Sequence, residues 1–314
     1  MEKLQAITTV YSYYFPEVRA MIDKIVKKYP HNIFLKSIGR PGLDDFHVPV
    51  IKKFINFQRR SLPGLNKFIY QYPTAGAEEG IREVMTLLQS QGVKQIYVLK
   101  GEYEGYQAIA DTRNIKTIIL NENINLKKIK PGYWFISNPS ARNGNIIPNE
   151  FIKKLCKANH KIIYDLTYLD TVPFYKFYLS HPNIIAILIS FSKPYGLFYY
   201  RTGFAFSRLA VPSLYGNKWF KNIFSLIITD QIFNRFKPLT LVKKYKPIQK
   251  HIIDNINKSF NLHMRYSDSL LLGYISPNDV KKLNNQQLQL VSKYKRGDYY
   301  RFCLTPYYQQ LEKK

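Results

Sequence analysis

The sequence predicts an α/β protein: a mostly parallel β-sheet with helices on both faces, joined to a smaller α+β domain. Three observations lead there. Between Tyr70 and Ser207, segments with helical apolar spacing alternate with short apolar runs of strand length. After Arg208 the alternation stops, and two long helical stretches precede two isolated strand-like runs. The chain has 314 residues, 46% of them hydrophobic, enough for one large core or for a large and a small one. The expected division is 41–207 for the large domain, with 1–40 and 208–314 forming the small one.

Taken in order, a helix is expected near Val18 to Lys28 in the N-terminal part. Gly76 to Ser90 places Ile81, Val84, Met85 and Leu88 on one helical face. Gln95 to Leu99 is a short strand, and a helix follows from Tyr106. Lys116 to Leu120 and Tyr133 to Ser137 are strands. Asn149 to Ala158 is a helix, started by Pro148. Lys161 to Tyr164 and Asn183 to Ile189 are strands again, and Thr202 to Ser207 continues the sheet after a turn. In the remainder, Lys218 to Phe236 and Lys246 to Phe260 read as helices, and Ser269 to Ile275 and Tyr299 to Leu304 as strands. There is no internal repeat and no low-complexity linker.

Composition narrows the function classes. No apolar run approaches the ~18 residues of a membrane helix, and Met1-Glu2-Lys3-Leu4-Gln5 does not open a secretory signal. Only Cys156 and Cys303 are present, far apart and without metal-ligand spacing, so a reduced, cytoplasmic setting with no disulfide framework and no metal site is expected. The formal charge is +26, from 47 basic and 21 acidic residues, which raises nucleic acid as a partner. Against that, the lysines are scattered in pairs such as Lys27-Lys28 and Lys127-Lys128, and no nucleic-acid-binding module is recognisable.

The chemistry centres on Ser190-Phe191-Ser192-Lys193-Pro194-Tyr195-Gly196-Leu197, with Arg201 and Gly203 beyond it. One lysine stands on a turn straight after a buried-strand pattern. A partly desolvated amine there loses its proton readily and attacks carbonyls. A phosphate-bearing aldehyde cofactor would need that amine and nearby anion-binding groups, which Ser190 and the planar fork of Arg201 can supply. A plain surface lysine at a strand end has the same local pattern. Asp165 ends the strand Lys161-Ile162-Ile163-Tyr164 and points toward the same crevice, where a carboxylate can hold a pyridine nitrogen protonated; it also suits a helix cap. Gly76-Ala77 opens a helix whose free N–H groups suit phosphate, although such a pair is also an ordinary turn. Tyr103 reaches the sheet rim, where its ring can stack on a flat heterocycle or on the core.

Together these segments resemble the fold-type I pyridoxal-phosphate enzymes of the aspartate aminotransferase superfamily, class I/II, over roughly residues 35 to 305. The resemblance implies that Lys193 forms the aldimine with pyridoxal 5′-phosphate and that Ser190, Arg201, Gly76 and Ala77 hold its phosphate. It implies that Asp165 pairs with the ring nitrogen, that Tyr168 bonds the phenolic oxygen, and that Tyr103 stacks on the ring. Arg301, in Tyr300-Arg301-Phe302-Cys303-Leu304, and Gly39 fall on substrate-binding positions. The family's Asn-Pro-x-Gly is departed from in Asn138-Pro139-Ser140-Ala141-Arg142-Asn143-Gly144. Anchored on Asn138-Pro139 the asparagine is kept; anchored on Gly144, Ala141 takes its place. Asn138 is the preferred assignment. The implied activity is amino transfer between an amino acid and a 2-oxo acid in a homodimer, with Tyr70 a candidate for contact with the other copy's phosphate. Other reactions on the same cofactor and a non-catalytic basic binding protein are the alternatives.

Overall fold

The computed structural model describes residues 4–10, 13, 15–28 and 43–312. Helices α1 (Pro16–Lys28) and α2 (His47–Phe57) precede the large sheet. Its strands are β1 (Tyr70–Thr74), β2 (Gln95–Leu99), β3 (Lys116–Leu120), β4 (Tyr133–Ser137), β5 (Lys161–Asp165), β6 (Ile184–Ser190) and β7 (Gly203–Ser207). They lie in the order β1-β7-β6-β5-β4-β2-β3. β2 to β6 pair in parallel, and β7 runs antiparallel to both neighbours. Crossover helices α3 (Ala77–Ser90), α4 (Gly105–Asp111) and α5 (Asn149–Lys157) join the strands.

A strand turns successive side chains to opposite faces, so each inner strand feeds two cores. Ile163, Leu188 and Ala205 pack with Ile81, Val84, Met85 and Leu88 of α3. Ile162, Tyr164, Ile187, Phe204 and Phe206 face the other way, onto Val50, Ile51 and Phe54 of α2 and Ile152 and Leu155 of α5. All seven residues of β6 are buried, which explains why its sequence is a continuous apolar run. The parallel strands β4, β5 and β6 end with Ser137, Asp165 and Ser190, and the functional side chains gather at those carboxyl ends.

Helix α6 (Ile223–Arg235) and the long helix α7 (Thr240–Phe260) lead to a second sheet. Its strands β8 (Arg265–Tyr266), β9 (Leu272–Ile275), β10 (Lys295–Arg296) and β11 (Tyr299–Cys303) are antiparallel in the order β10-β11-β9-β8. Short helices α8 (Pro277–Val280), α9 (Asn285–Val291) and α10 (Thr305–Leu311) complete the chain. Ile7 forms an antiparallel bridge to Cys303 on β11, tying the first described residues to the last strand. Tyr13 and Phe15 join Tyr245 and Tyr308 in an aromatic cluster beside it.

Several elements differ from the sequence expectation. The helix expected over Lys218 to Phe236 is a 3-10 stretch, Pro212–Lys218, followed by α6, whose start is capped by Asn222 accepting from the Ser225 amide. The helix expected from Lys246 begins at Thr240 and contains Pro247; buried Leu241, Val242 and Tyr245 extend its apolar face past the proline. The strand expected from Ser269 begins only at Leu272. Among the described residues no helix is long and apolar enough to cross a membrane. Both cysteines are buried and free.

Candidate active site

A cavity of about 470 Å³ opens at the carboxyl ends of β4, β5 and β6. It gathers Lys193, Asp165, Tyr168, Tyr103, Ala77, Ser190, Arg201 and Arg301, so eight of the positions selected from the sequence share one wall.

Lys193 sits on the turn beyond β6. Its amine donates to the main-chain carbonyl of Val10 and lies 5.2 Å from the centre of the Phe198 ring. Burial pulls its pKa down to about 8, and the nearby Arg301 and Arg201 cations act in the same direction. An amine in this state is still mostly protonated near neutral pH, but it gives up its proton far more readily than an ordinary lysine, which suits a nucleophile and base.

Asp165 ends β5. One carboxylate oxygen accepts from the Tyr106 hydroxyl at 2.8 Å, the other from the Thr167 amide at 3.0 Å and the Thr167 hydroxyl. Burial raises its pKa, while these donors favour the charged form and hold the rise back. Tyr168 lines the same cavity, and its hydroxyl makes no hydrogen bond among the described residues. Tyr103 also lines the wall and donates to Glu78 at 2.6 Å.

Beside the lysine turn the backbone forms a cradle. Gly76 has a φ of 98°, and a Cβ there would stand 3.3 Å from Arg201 Nη2 and 3.5 Å from Ser190 Oγ. Only glycine leaves that space open at this φ. Gly203 backs onto it: a Cβ would fall 2.2 Å from the Ile189 carbonyl oxygen and 2.8 Å from Gly76 Cα. The Ser192 hydroxyl is buried without a hydrogen-bond partner at the same place. An orphaned hydroxyl, a guanidinium outside any ion pair among the described residues, and the opening of α3 suit an anion.

Arg301 of β11 is buried and lines the same cavity. It donates to the carbonyls of Ala141 at 2.6 Å and Thr8 at 2.7 Å, while its Nε has no partner. Among the described residues it makes no ion pair, so a buried positive charge faces the cavity uncompensated. Nearby Arg296 is paired with Glu104, at 3.0 Å for one of two contacts.

Asn138 does not join this group. Its side chain is closed on the main chain of Ile147, accepting from the amide at 2.9 Å and donating to the carbonyl at 3.0 Å, and it is absent from the cavity wall. Ala141 lines the wall in its place. The preferred alignment on Asn138-Pro139 is therefore corrected in favour of the one anchored on Gly144. Gly39 lies outside the described residues. Sequence reasoning missed Glu78, Tyr106, Thr167, Ser192, and Thr9 and Val10. The first four stand within three residues of selected positions; nothing in the sequence signals that the N-terminal segment lies over the lysine.

The residues 72–218 match the family model for aminotransferase class I and II. Two curated relatives are histidinol-phosphate aminotransferases of Buchnera aphidicola. That of the Cinara cedri strain is 28% identical over 152 residues and that of the Schizaphis graminum strain 30% over 156. Each alignment covers 44% of this chain and 43% of the relative, so the match spans less than half of their length. Among solved structures, an aminotransferase from Staphylococcus aureus superposes with a TM-score of 0.67 at 15% identity, covering 99% of this chain and 92% of the other. A histidinol-phosphate aminotransferase from Sinorhizobium meliloti, in complex with pyridoxal-5′-phosphate, gives 0.67 at 13% identity, covering 96% and 87%. The fold is thus the fold type I architecture of these aminotransferases.

Proposed function

We propose that this chain is a pyridoxal-phosphate-dependent aminotransferase that moves an amino group between an α-amino acid and a 2-oxo acid. The observation that carries this reading is the meeting, in one cavity, of a buried amine with a lowered pKa, a buried carboxylate and a cradle of anion-binding groups. The residues fit the cofactor: the orphaned Ser192 hydroxyl, Ser190, Arg201 and the start of α3 suit a phosphate, and the opening at Gly76 leaves room for it. When bound, the cofactor supplies an aldehyde carbon for an amine and a ring that accepts electrons from the substrate Cα.

Each residue then has a task. Asp165, whose charged form is favoured by the donors Tyr106 and Thr167 against the effect of burial, would keep a proton on the ring nitrogen. Tyr168 offers its free hydroxyl to the phenolic oxygen, and the Tyr103 ring suits stacking. Lys193 would supply the base that takes the substrate Cα proton. Arg301 presents an unmatched guanidinium to the substrate carboxylate, which fixes which Cα bond faces the lysine. The two buried, free cysteines support a reducing, cytoplasmic setting.

The test is direct. The protein loaded with pyridoxal 5′-phosphate and treated with borohydride is expected to yield one adduct, on Lys193, by mass spectrometry. Lys193→Ala is expected to bind the cofactor without a covalent bond and to lose turnover with every amino acid in a panel. An adduct elsewhere, or turnover by Lys193→Ala, ends the proposal.

A further inference from the structure

A second cavity, of about 400 Å³, shares no lining residue with the first. It lies where the turn after α2 meets the junction of α6 and α7, and its size is within the range of small-molecule sites. Four cations line it, Arg59, Arg60, Lys237 and Lys243, and no carboxylate does. None of the four makes an ion pair among the described residues, whereas Lys53, Lys100, Lys244, Arg265 and Arg296 each have an acidic partner. Like charges around one concavity repel, although all four are exposed and partly screened by water; an anion inside turns that repulsion into attraction.

The wall also holds an aromatic ring. Phe174 is 48% exposed, and the Arg60 guanidinium lies 5.1 Å from its centre. A ring and a guanidinium that are both open to the cavity are the pair on which flat heteroaromatic groups stack. Leu239, on the same wall, takes a φ of 69°, a left-handed conformation that a leucine adopts only when its surroundings impose it. It stands at the start of the 21-residue helix α7, which has no side-chain cap, so the positive end of α7 adds to the field.

We propose that this cavity binds a phosphate-bearing anion with a flat heteroaromatic ring, of the nucleoside di- or triphosphate class. The cations take the phosphates and the Phe174–Arg60 pair takes the ring. This site is independent of the proposed catalytic reading.

The test is calorimetric titration of the cofactor-loaded, borohydride-reduced protein, in which the first cavity is filled, at about 0.15 M salt to screen long-range charge. The probes are adenosine triphosphate, inorganic pyrophosphate and adenosine. One molecule of adenosine triphosphate per chain is expected, with weaker binding of pyrophosphate and none of adenosine. Lys237→Gln with Lys243→Gln is expected to weaken the triphosphate about tenfold or more, the scale of a lost charge-assisted bond. Lys127→Gln with Lys128→Gln removes the same charge from a distant exposed turn and is expected to leave binding unchanged. Phe174→Ala is expected to weaken the nucleotide and spare pyrophosphate. Absence of triphosphate binding, several molecules per chain, or equal loss in both double variants overturns the proposal in favour of a diffuse field. Binding that vanishes in Arg201→Gln but survives the Lys237/Lys243 change overturns it in favour of the first cavity. The Arg201→Gln arm also stands if no adduct forms on Lys193, so failure of the catalytic reading remains distinguishable.

Discussion

Arg301 holds two main-chain carbonyls, from Ala141 and Thr8, and keeps Nε without a partner in a buried place. That arrangement fixes the plane of the guanidinium while leaving its charge for a ligand. Arg301→Lys retains the charge and loses the planar fork. Amino-acid substrate is expected to bind more weakly by about 1.5–3 kcal/mol, the scale for a charge-assisted hydrogen bond. Cofactor affinity is expected to stay the same, since the groups beside Gly76 are Arg201 and Ser190, while Arg301 is bonded to Ala141 and Thr8. Parallel titrations with cofactor and with amino acid check this; loss of cofactor or of folding, without a selective loss of amino-acid binding, makes Arg301 structural. At this scale the sequence was legible where chemistry and position coincide: Lys193, Asp165, Ser190 and Arg201 each end or follow an apolar strand, and such places meet in an α/β sheet. It misled at Asn138, because a local Asn-Pro pair says nothing about which way a side chain turns. The hydrogen bonds to Ile147 decide that, and Ile147 lies nine residues on.

Between residue and element stands Asp170. It is buried after β5 and accepts from Gln58, just past α2, at 2.6 Å and from Tyr195, two residues beyond Lys193, at 2.9 Å. One carboxylate thus couples the end of α2 to the lysine turn. Burial raises its pKa from 3.8 to about 6, against the pull of those two donors. A carboxyl with a raised folded-state value favours the fold while protonated, so its contribution declines as pH rises between those values. At ~1.4 kcal/mol per pKa unit the decline is about 3 kcal/mol. Urea unfolding of the wild type and of Asp170→Asn is therefore expected to show a stability difference that moves against the wild type from about pH 4 to 7. A difference that stays flat over that range rules out titration of Asp170. Elements with strong periodicity, such as α3 and β6, were legible from their patterns alone. Helix α7 begins six residues before the expected Lys246, because Leu241, Val242 and Tyr245 bury enough surface to carry the helix through Pro247. Helix α2 passed unnoticed, although Val50, Ile51 and Phe54 form its buried face.

For the whole molecule, exposed apolar residues point to a covered face. Phe220 is 86% and Ile69 71% exposed, and Trp219 and Tyr70 are also open. Asn217 donates to Pro73 at 3.0 Å, which brings the 3-10 stretch carrying these aromatics against β1. Large open apolar groups gathered in this way mark an association surface. We propose a homodimer through it; light scattering at micromolar concentration is expected to give twice the chain mass, and Phe220→Lys is expected to shift it toward monomer. A monomer in both samples removes the idea.

The bridge between Ile7 and Cys303 sets an order of events during synthesis. Residues 4–10 are made long before their partner on β11. Helices and the large sheet form from contacts available earlier, and domains fold largely as they emerge. The segment whose Val10 and Thr8 carbonyls engage Lys193 and Arg301 has no strand to pair with until β11 has been made. The wall over the lysine is consequently expected to close only after β11 is made, so a chain halted before β11 is expected to expose its Lys193 amine to an aldehyde reagent.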